Sequence, residues 1–175
     1  CIRDRFRNDD RGNVLSVTDP KGNLSSFEYD SMNQVKKIEK ANGEVTTISY
    51  KKDGNLDELV DGLSNQTKFF HDGMGRVIQR RDANGNSDFY EYDGNGNLSK
   101  WTNRNGQEIV YTYNKLNDLV TKTMDGVTYT YTYSSPGSIN GASDGQLRVD
   151  IQTDFNRKKI FETVYLNDTL LGQSR

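Results

Sequence analysis

The sequence predicts an all-β fold: tandem antiparallel β-hairpin repeats of about 21 residues, laid down as a curved or spiral sheet. Three observations carry this. The tyrosines recur with a fixed period, large and polar residues alternate ahead of each tyrosine, and Gly/Asn turn signals separate the alternating segments.

The period comes first, because a repeat decides how everything else is read. Tyr29, Tyr50, His71, Tyr92 and Tyr113 follow one another at 21-residue intervals, and two residues before each stand Phe27, Ile48, Phe69, Tyr90 and Tyr111. A glycine-like slot precedes the tyrosine slot by seven (Gly22, Gly43, Ser64, Gly85, Gly106). A second follows it by four (Asn33, Gly54, Gly75, Gly96, Asn117), and two further on comes an aliphatic residue (Val35, Leu56, Val77, Leu98, Leu119). Upstream, Phe6, Gly12 and Val14 keep the pattern, with Asn8 in the tyrosine slot and Cys1 in a glycine slot. Downstream, Gly126, Tyr131, Tyr133, Gly137 and Ile139 keep it after a one-residue deletion. Eight of the ten tyrosines fall in two slots of the period, where chance would place about one. Residues 1–139 therefore read as an array of six to seven units. Residues 140–175 break the period and read as further strands, either a decayed repeat or a cap.

Each unit contains two strands. In the first, large residues stand two apart (Phe27 and Tyr29, Tyr111 and Tyr113, Tyr131 and Tyr133) with Ser, Thr or Glu between them, the period of a strand with one covered face. In the second, apolar residues stand three apart, as in Val35 and Ile38 or Leu98 and Trp101. Helical spacing competes there, but turn signals leave only about six residues per segment, so a bulge in each second strand is the better reading. Between units, Asn42-Gly43, Asn84-Gly85, Asn105-Gly106 and Asp125-Gly126 suggest two-residue hairpins with positive φ at both central positions. Within units, the turns headed by Asp30, Asp72 and Asp93 place a carboxylate where it can accept backbone N–H groups two residues on. Past residue 140, Leu147, Val149 and Ile151 alternate, Gly141 to Gly145 reads as a loop, and Asp154 to Arg157 resembles a decayed repeat turn.

Composition bounds the function. Hydrophobic residues, tyrosine included, make up 32% of the chain, short of what a core of ordinary thickness draws on. A sheet with one wet face fits that content. The net charge of −2 argues against a nucleic-acid partner, and short basic runs such as Arg157-Lys158-Lys159 read as solvated strand edges. No run of about 18 apolar residues exists to span a membrane. Cys1 is the single cysteine, so no disulfide can form within the chain.

The stretch from Thr18 to Asn23 followed by Phe27-Glu28-Tyr29-Asp30, and the stretch Phe89-Tyr90-Glu91-Tyr92-Asp93-Gly94-Asn95-Gly96-Asn97-Leu98, resemble the tyrosine-aspartate (YD) or rearrangement-hotspot (RHS) repeat family. The resemblance covers residues 1–139. It implies a large secreted or cell-surface parent, since bacterial polymorphic toxins, wall-associated proteins, the C component of insecticidal toxin complexes and animal teneurins belong to that family. It further implies a structural scaffold whose repeats wind into a hollow shell, with the remainder of the parent polypeptide and its effector domain as partners. The alternative that the family suggests is a glycan or cell-surface binding module. Family toxins also carry an aspartate self-cleavage segment near the end of the shell. No equivalent stands in this sequence, and the repeats are too few to close a large shell.

Weighed one by one, the candidate sites favour structure over chemistry, and neither a catalytic set nor a cofactor is expected. His71, the only histidine, occupies a tyrosine slot and lacks a marked nucleophile or orienting partner. Cys1, in a glycine slot, has nothing to mark it as a nucleophile. The loops beginning at Asp53 and Asp93 imitate the start of a calcium loop but carry Glu58 and Leu98 at the sixth position, where glycine is needed. They carry Ser64 and Arg104 at the twelfth, where glutamate is needed. No spacing singles out a carboxylate pair among the 25 acidic residues. Tyrosines in the main slots are expected to form an aromatic column. Tyr129 and Tyr165, outside those slots, are the candidates for facing a ligand. Unpaired edge strands of such an array favour self-association.

Overall fold

The computed structural model describes residues 4–135, 137–154, 159–167 and 169–174. Cys1, Pro136 and residues 155–157 of the expected terminal turn lie outside them. The chain is all-β, and strands consecutive in sequence pair antiparallel within two compact units, Cys1–Ser87 and Asp88–Arg175. The first unit is a meander of β1 (Arg5–Asn8), β2 (Val14–Thr18), β3 (Leu24–Tyr29), β4 (Val35–Glu39), β5 (Val45–Tyr50), β6 (Leu56–Val60), β7 (Gln66–His71) and β8 (Val77–Arg81). The second runs through β9 (Ser87–Tyr92), β10 (Leu98–Thr102), β11 (Glu108–Tyr113), β12 (Leu119–Met124), β13 (Val127–Ser135), β14 (Ser138–Ser143), β15 (Leu147–Asp154), β16 (Lys159–Leu166) and β17 (Thr169–Ser174).

Register sorts the side chains onto two faces, because residues directly opposite in an antiparallel pair share a face. One face is aromatic and aliphatic. Its rows include Phe27–Ile38–Thr46 and Ile48–Leu59–Thr67 in the first unit. In the second they include Tyr90–Trp101–Ile109–Met124 and Tyr131–Ala142–Val149. The other face is polar. In the first unit it carries cross-strand ion pairs such as Lys37–Glu28 at 3.3 Å and Lys68–Glu58 at 3.4 Å. In the second it carries the hydroxyl row Thr112–Thr121–Thr130–Ser143. Exposed pairs of this kind contribute little stability, about 0–1 kcal/mol each.

The core is thin, as the composition requires. Ile109, 8% exposed, is the most deeply buried apolar side chain among the described residues. The column tyrosines stay half-buried.

A bulge recurs in every second strand. Tyr29 lies opposite Val35 and Glu28 opposite Lys37, which leaves Lys36 as the extra residue. Leu15, Asp57, Ile78, Ser99 and Val120 are its equivalents. The bulge resolves the three-residue spacing seen in the sequence: with one residue extruded, Val35 and Ile38 fall on one face without any helix. Each bulge also bends its strand, so the repeat writes curvature into the sheet.

The turns between units differ from the sequence reading. Asn42, Asn84 and Asn105 do not adopt positive φ; only the glycines after them do, Gly43 at 82°, Gly85 at 85° and Gly106 at 81°. In each turn the first residue's N–H donates to the carbonyl four residues on, and the N–H of the fourth residue donates back to the carbonyl of the first. Lys40 and Glu44 with Gly43, and Asn103 and Gln107 with Gly106, show the pattern. These are three-residue loops, a type I turn closed by one left-handed residue. They are the same turns as those within units: Asp30 to Gln34 and Asp93 to Asn97 close identically. Such a loop needs one left-handed residue rather than two, and its leading Asp or Asn can cap two backbone N–H groups. Asp125-Gly126 alone, at φ 50° and 79°, is the two-residue hairpin that the sequence suggested for all four. That shorter loop accounts for the one-residue deletion in the period.

Candidate functional site

In each of the two units the repeated chemistry gathers along the rim where the first strand of each hairpin turns into the second. Tyr29, Tyr50, His71, Tyr92 and Tyr113 end their strands there, and Tyr133 stands two residues before the end of β13. Phe27, Phe69, Tyr90, Tyr111 and Tyr131 lie one row in on the same face. Asp30, Asp72 and Asp93 head the turns, and Gly54, Gly75 and Gly96 supply the left-handed residue at 84°, 79° and 89°.

Four of these tyrosine hydroxyls do more than end an aromatic ring. Tyr29 donates to the carbonyl of Val14 at 2.9 Å, Tyr50 to Val35 at 3.0 Å, Tyr113 to Leu98 at 2.9 Å and Tyr133 to Leu119 at 2.8 Å. Every acceptor is the residue next to the bulge of the preceding hairpin, where the ladder is disrupted and a carbonyl needs another partner. Since Tyr29 itself pairs with Val35, the links run on from hairpin to hairpin. Loss of water around the rings raises the phenol pKa of Tyr50, Tyr111, Tyr113 and Tyr133 above its ordinary value.

His71 interrupts this. It fills the slot from which a tyrosine would reach Leu56, and its Nδ1 is buried without a hydrogen-bond partner. His71→Tyr is therefore expected to stabilise the first unit by about 1 kcal/mol, one net hydrogen bond. A rise of a few degrees in the thermal midpoint by circular dichroism would register it. An unchanged or lower midpoint would contradict the role given to the hydroxyl.

The turn carboxylates act in a fixed pattern. Asp93 Oδ1 accepts the N–H groups of Asn95 and Asn97 at 2.9 Å each, and its Oδ2 accepts the Asn97 amide at 3.0 Å. Asp9, Asp19 and Asp61 do the same with Asn13, Asn23 and Asn65. In the Asp72 turn Arg76 Nε replaces the asparagine amide at 2.7 Å. Side-chain hydrogen bonds from the asparagines are the largest cause holding Asp9, Asp19, Asp61 and Asp93 below the usual carboxylate pKa; for Asp72 it is the Arg76 N–H. Neighbouring turns on this rim are also tied together. Gln34 Nε2 donates to the Gly54 carbonyl at 2.9 Å, and Asn97 Nδ2 to Asn117 Oδ1 at 2.8 Å. The asparagine four residues after Asp9, Asp19, Asp61 and Asp93 is the signal in the sequence that would have revealed this clasp.

Tyr129 and Tyr165 are placed apart. Tyr129 lies opposite Lys122, which lies opposite Tyr111, so it stands on the aromatic face. Tyr165 pairs with Arg148 and shares the polar face with Ser143 and Thr130; the Arg148 guanidinium sits 4.3 Å from its ring centre.

A tyrosine bridge to the previous bulge and a clasped Asp turn, repeated every 21 residues, define a wall-building unit. Residues 4–110 match the profile of the teneurin YD-shell. The chain belongs to the teneurin YD-shell family. Solved structures similar to this YD-shell chain include the complex TcdB2-TccC3, at 13% identity and a TM-score of 0.73 over 98% of this chain and 12% of that one. The Photorhabdus luminescens Tc holotoxin pore is similar at 18% identity and a TM-score of 0.70, over 90% of this chain and 10% of that one. At such identities the likeness speaks for the fold. The YD-shell chain spans about a tenth of the length of these structures' chains. No curated protein matches it in sequence. The chain is a structural shell module.

Proposed function

We propose that this chain is a section of the wall of a secreted or cell-surface polypeptide that encloses or displays an effector domain, with no catalytic role of its own. The observation that carries the reading is the half-exposed aromatic face. In each unit an aromatic and aliphatic face rimmed by polar turns calls for a covering partner, and a wall folded around its contents supplies one. Residues 1–139 are the repeat array and residues 140–175 its decayed continuation. Support for the latter is a slip of one residue between β16 and β17, where Val164 pairs with Gly172 and Tyr165 with Leu170, a bulge in the second strand like that of the repeat hairpins, here opposite a polar-face residue. Strand β1, exposed along its length and paired only with β2 among the described residues, offers an edge on which a further strand of the same polypeptide, or of a second copy, can build.

Paired cysteine variants test the wall. In a Cys1→Ser background of the full-length polypeptide, Thr67→Cys reports on the aromatic face and Ser49→Cys on the polar face. The expected result is rapid labelling of the polar-face cysteine by a bulky maleimide, with the aromatic-face cysteine protected until denaturant is added. Equal labelling at both positions in the folded polypeptide would overturn enclosure. The glycan reading rests on Tyr165 and its neighbouring hydroxyl row, because Tyr129 stands on the opposite face. Specific capture on a glycan array, lost in Tyr165→Ala, would favour it.

A further inference from the structure

We infer that the aromatic face of the second unit holds a seat for a peptide segment that places a carboxylate beside an aliphatic side chain, with Lys122 as the anchor. The inference deepens the wall reading and rests on it, since it names what the covered face receives. Lys122 occupies the column slot three residues after the aliphatic Leu119, a slot that Val17, Ile38, Leu59 and Trp101 fill with apolar groups in other repeats. Arg80 holds it once in the first unit, and that cation is not without a partner. Directly across from Lys122 stand Tyr111 on one side and Tyr129 on the other. It is half-buried, and no carboxylate or other partner reaches it among the described residues.

A cation in an apolar column loses hydration without gaining a counter-ion, so the chain departs from its own repeat at a cost in stability. A carboxylate arriving with a covering segment removes that cost, and a charge-assisted pair formed as water leaves is stronger than one on an open surface. The second half of the seat lies beside Tyr129: a cleft of about 120 Å³ walled by Tyr129, Ala142, Leu147 and Val149. Its size suits one leucine or isoleucine side chain. Asp144 also lines the cleft, but its Oδ1 is taken up by the N–H groups of Gln146 and Leu147. Because Tyr129 borders both Lys122 and the cleft, the ligand's acid and aliphatic group must be near neighbours. A glutamate and a leucine two apart on an extended strand, about 7 Å along the chain, meet that requirement.

Fluorescence anisotropy with a labelled peptide carrying Glu-Ser-Leu tests the seat on the purified chain, against otherwise identical peptides with Gln or Lys in place of Glu. The expected result is saturable binding of the Glu peptide, weakened at least tenfold in the Gln peptide and abolished in the Lys peptide. Lys122→Leu restores the apolar slot, so it should raise the thermal midpoint while reducing affinity for the Glu peptide at least tenfold. Equal binding of the Glu and Gln peptides would overturn the inference, as would a stabilised Lys122→Leu chain that binds undiminished. Octanoate competing as well as the peptide would reassign the seat to free aliphatic carboxylates. Failure here leaves the cysteine-labelling result untouched, so the seat and the wall can fail separately.

Discussion

Tyr113→Ala should lower the stability of the second unit by about 2–3 kcal/mol, and Tyr113→Phe by about 1 kcal/mol. Full burial of an aromatic ring gives losses of about 3–5 kcal/mol on truncation to alanine, and the half-buried ring of Tyr113 sets the expectation lower. The phenylalanine variant keeps the ring and removes only the hydroxyl that donates to the Leu98 carbonyl at 2.9 Å. Its cost is that of a carbonyl left beside a bulge. Trp101, the only tryptophan, lies on the same face of the second unit and reports unfolding by fluorescence in urea. A phenylalanine variant as stable as the parent would remove the hydroxyl bridge from the account of how hairpins are joined. Similar losses in both variants would instead assign nearly all the energy to the bridge and little to the column.

Acid should open the array turn by turn. Hydrogen bonds hold Asp9, Asp19, Asp53, Asp61, Asp72, Asp93 and Asp144 below the ordinary carboxylate pKa. In the unfolded chain these groups titrate near ~3.9. A depressed folded pKa means that the unfolded state takes up protons first as pH falls. The stabilisation is therefore complete above the unfolded value and drains away as pH drops through the folded values. Thermal midpoints should be flat between about pH 5 and 8 and fall steadily below about pH 4.

Two turns provide internal controls. Asn103 Oδ1 accepts the N–H groups of Asn105 and Gln107, and Asn114 Oδ1 those of Leu116 and Asp118, so an amide performs the clasp without titrating. Hydrogen exchange at about pH 3 should show the turns headed by Asp9, Asp61 and Asp93 opening ahead of those headed by Asn103 and Asn114. Uniform opening of all turns would assign the acid response to net charge rather than to the clasps. Asp93→Asn should keep its turn closed and move it into the insensitive class.

The alternation of Phe27 and Tyr29 around Glu28, repeated every 21 residues, sufficed to read hairpins, their order and the aromatic face. Side-chain period and turn residues are local properties, written where the chain is read. The bulge was legible for the same reason: Val35 and Ile38 cannot share a face of a short strand unless one residue is extruded. Turn geometry was less so. Asn42-Gly43 permits two loop lengths, and the choice lies with hydrogen bonds between Lys40 and Glu44 and their neighbours rather than with the dipeptide. The asparagines that complete the Asp clasps were visible, but their purpose depends on a turn already closed.

What the sequence by itself determined was the repeat, because side-chain alternation and turn residues are written within each unit. Which side chains meet between units was decided only by the tertiary structure. The reach of Tyr29 to Val14, the lone place of Lys122 between Tyr111 and Tyr129, and the separation of Tyr129 from Tyr165 onto opposite faces all follow from cross-strand register. Register accumulates one bulge at a time, and a single slipped residue would exchange the two faces.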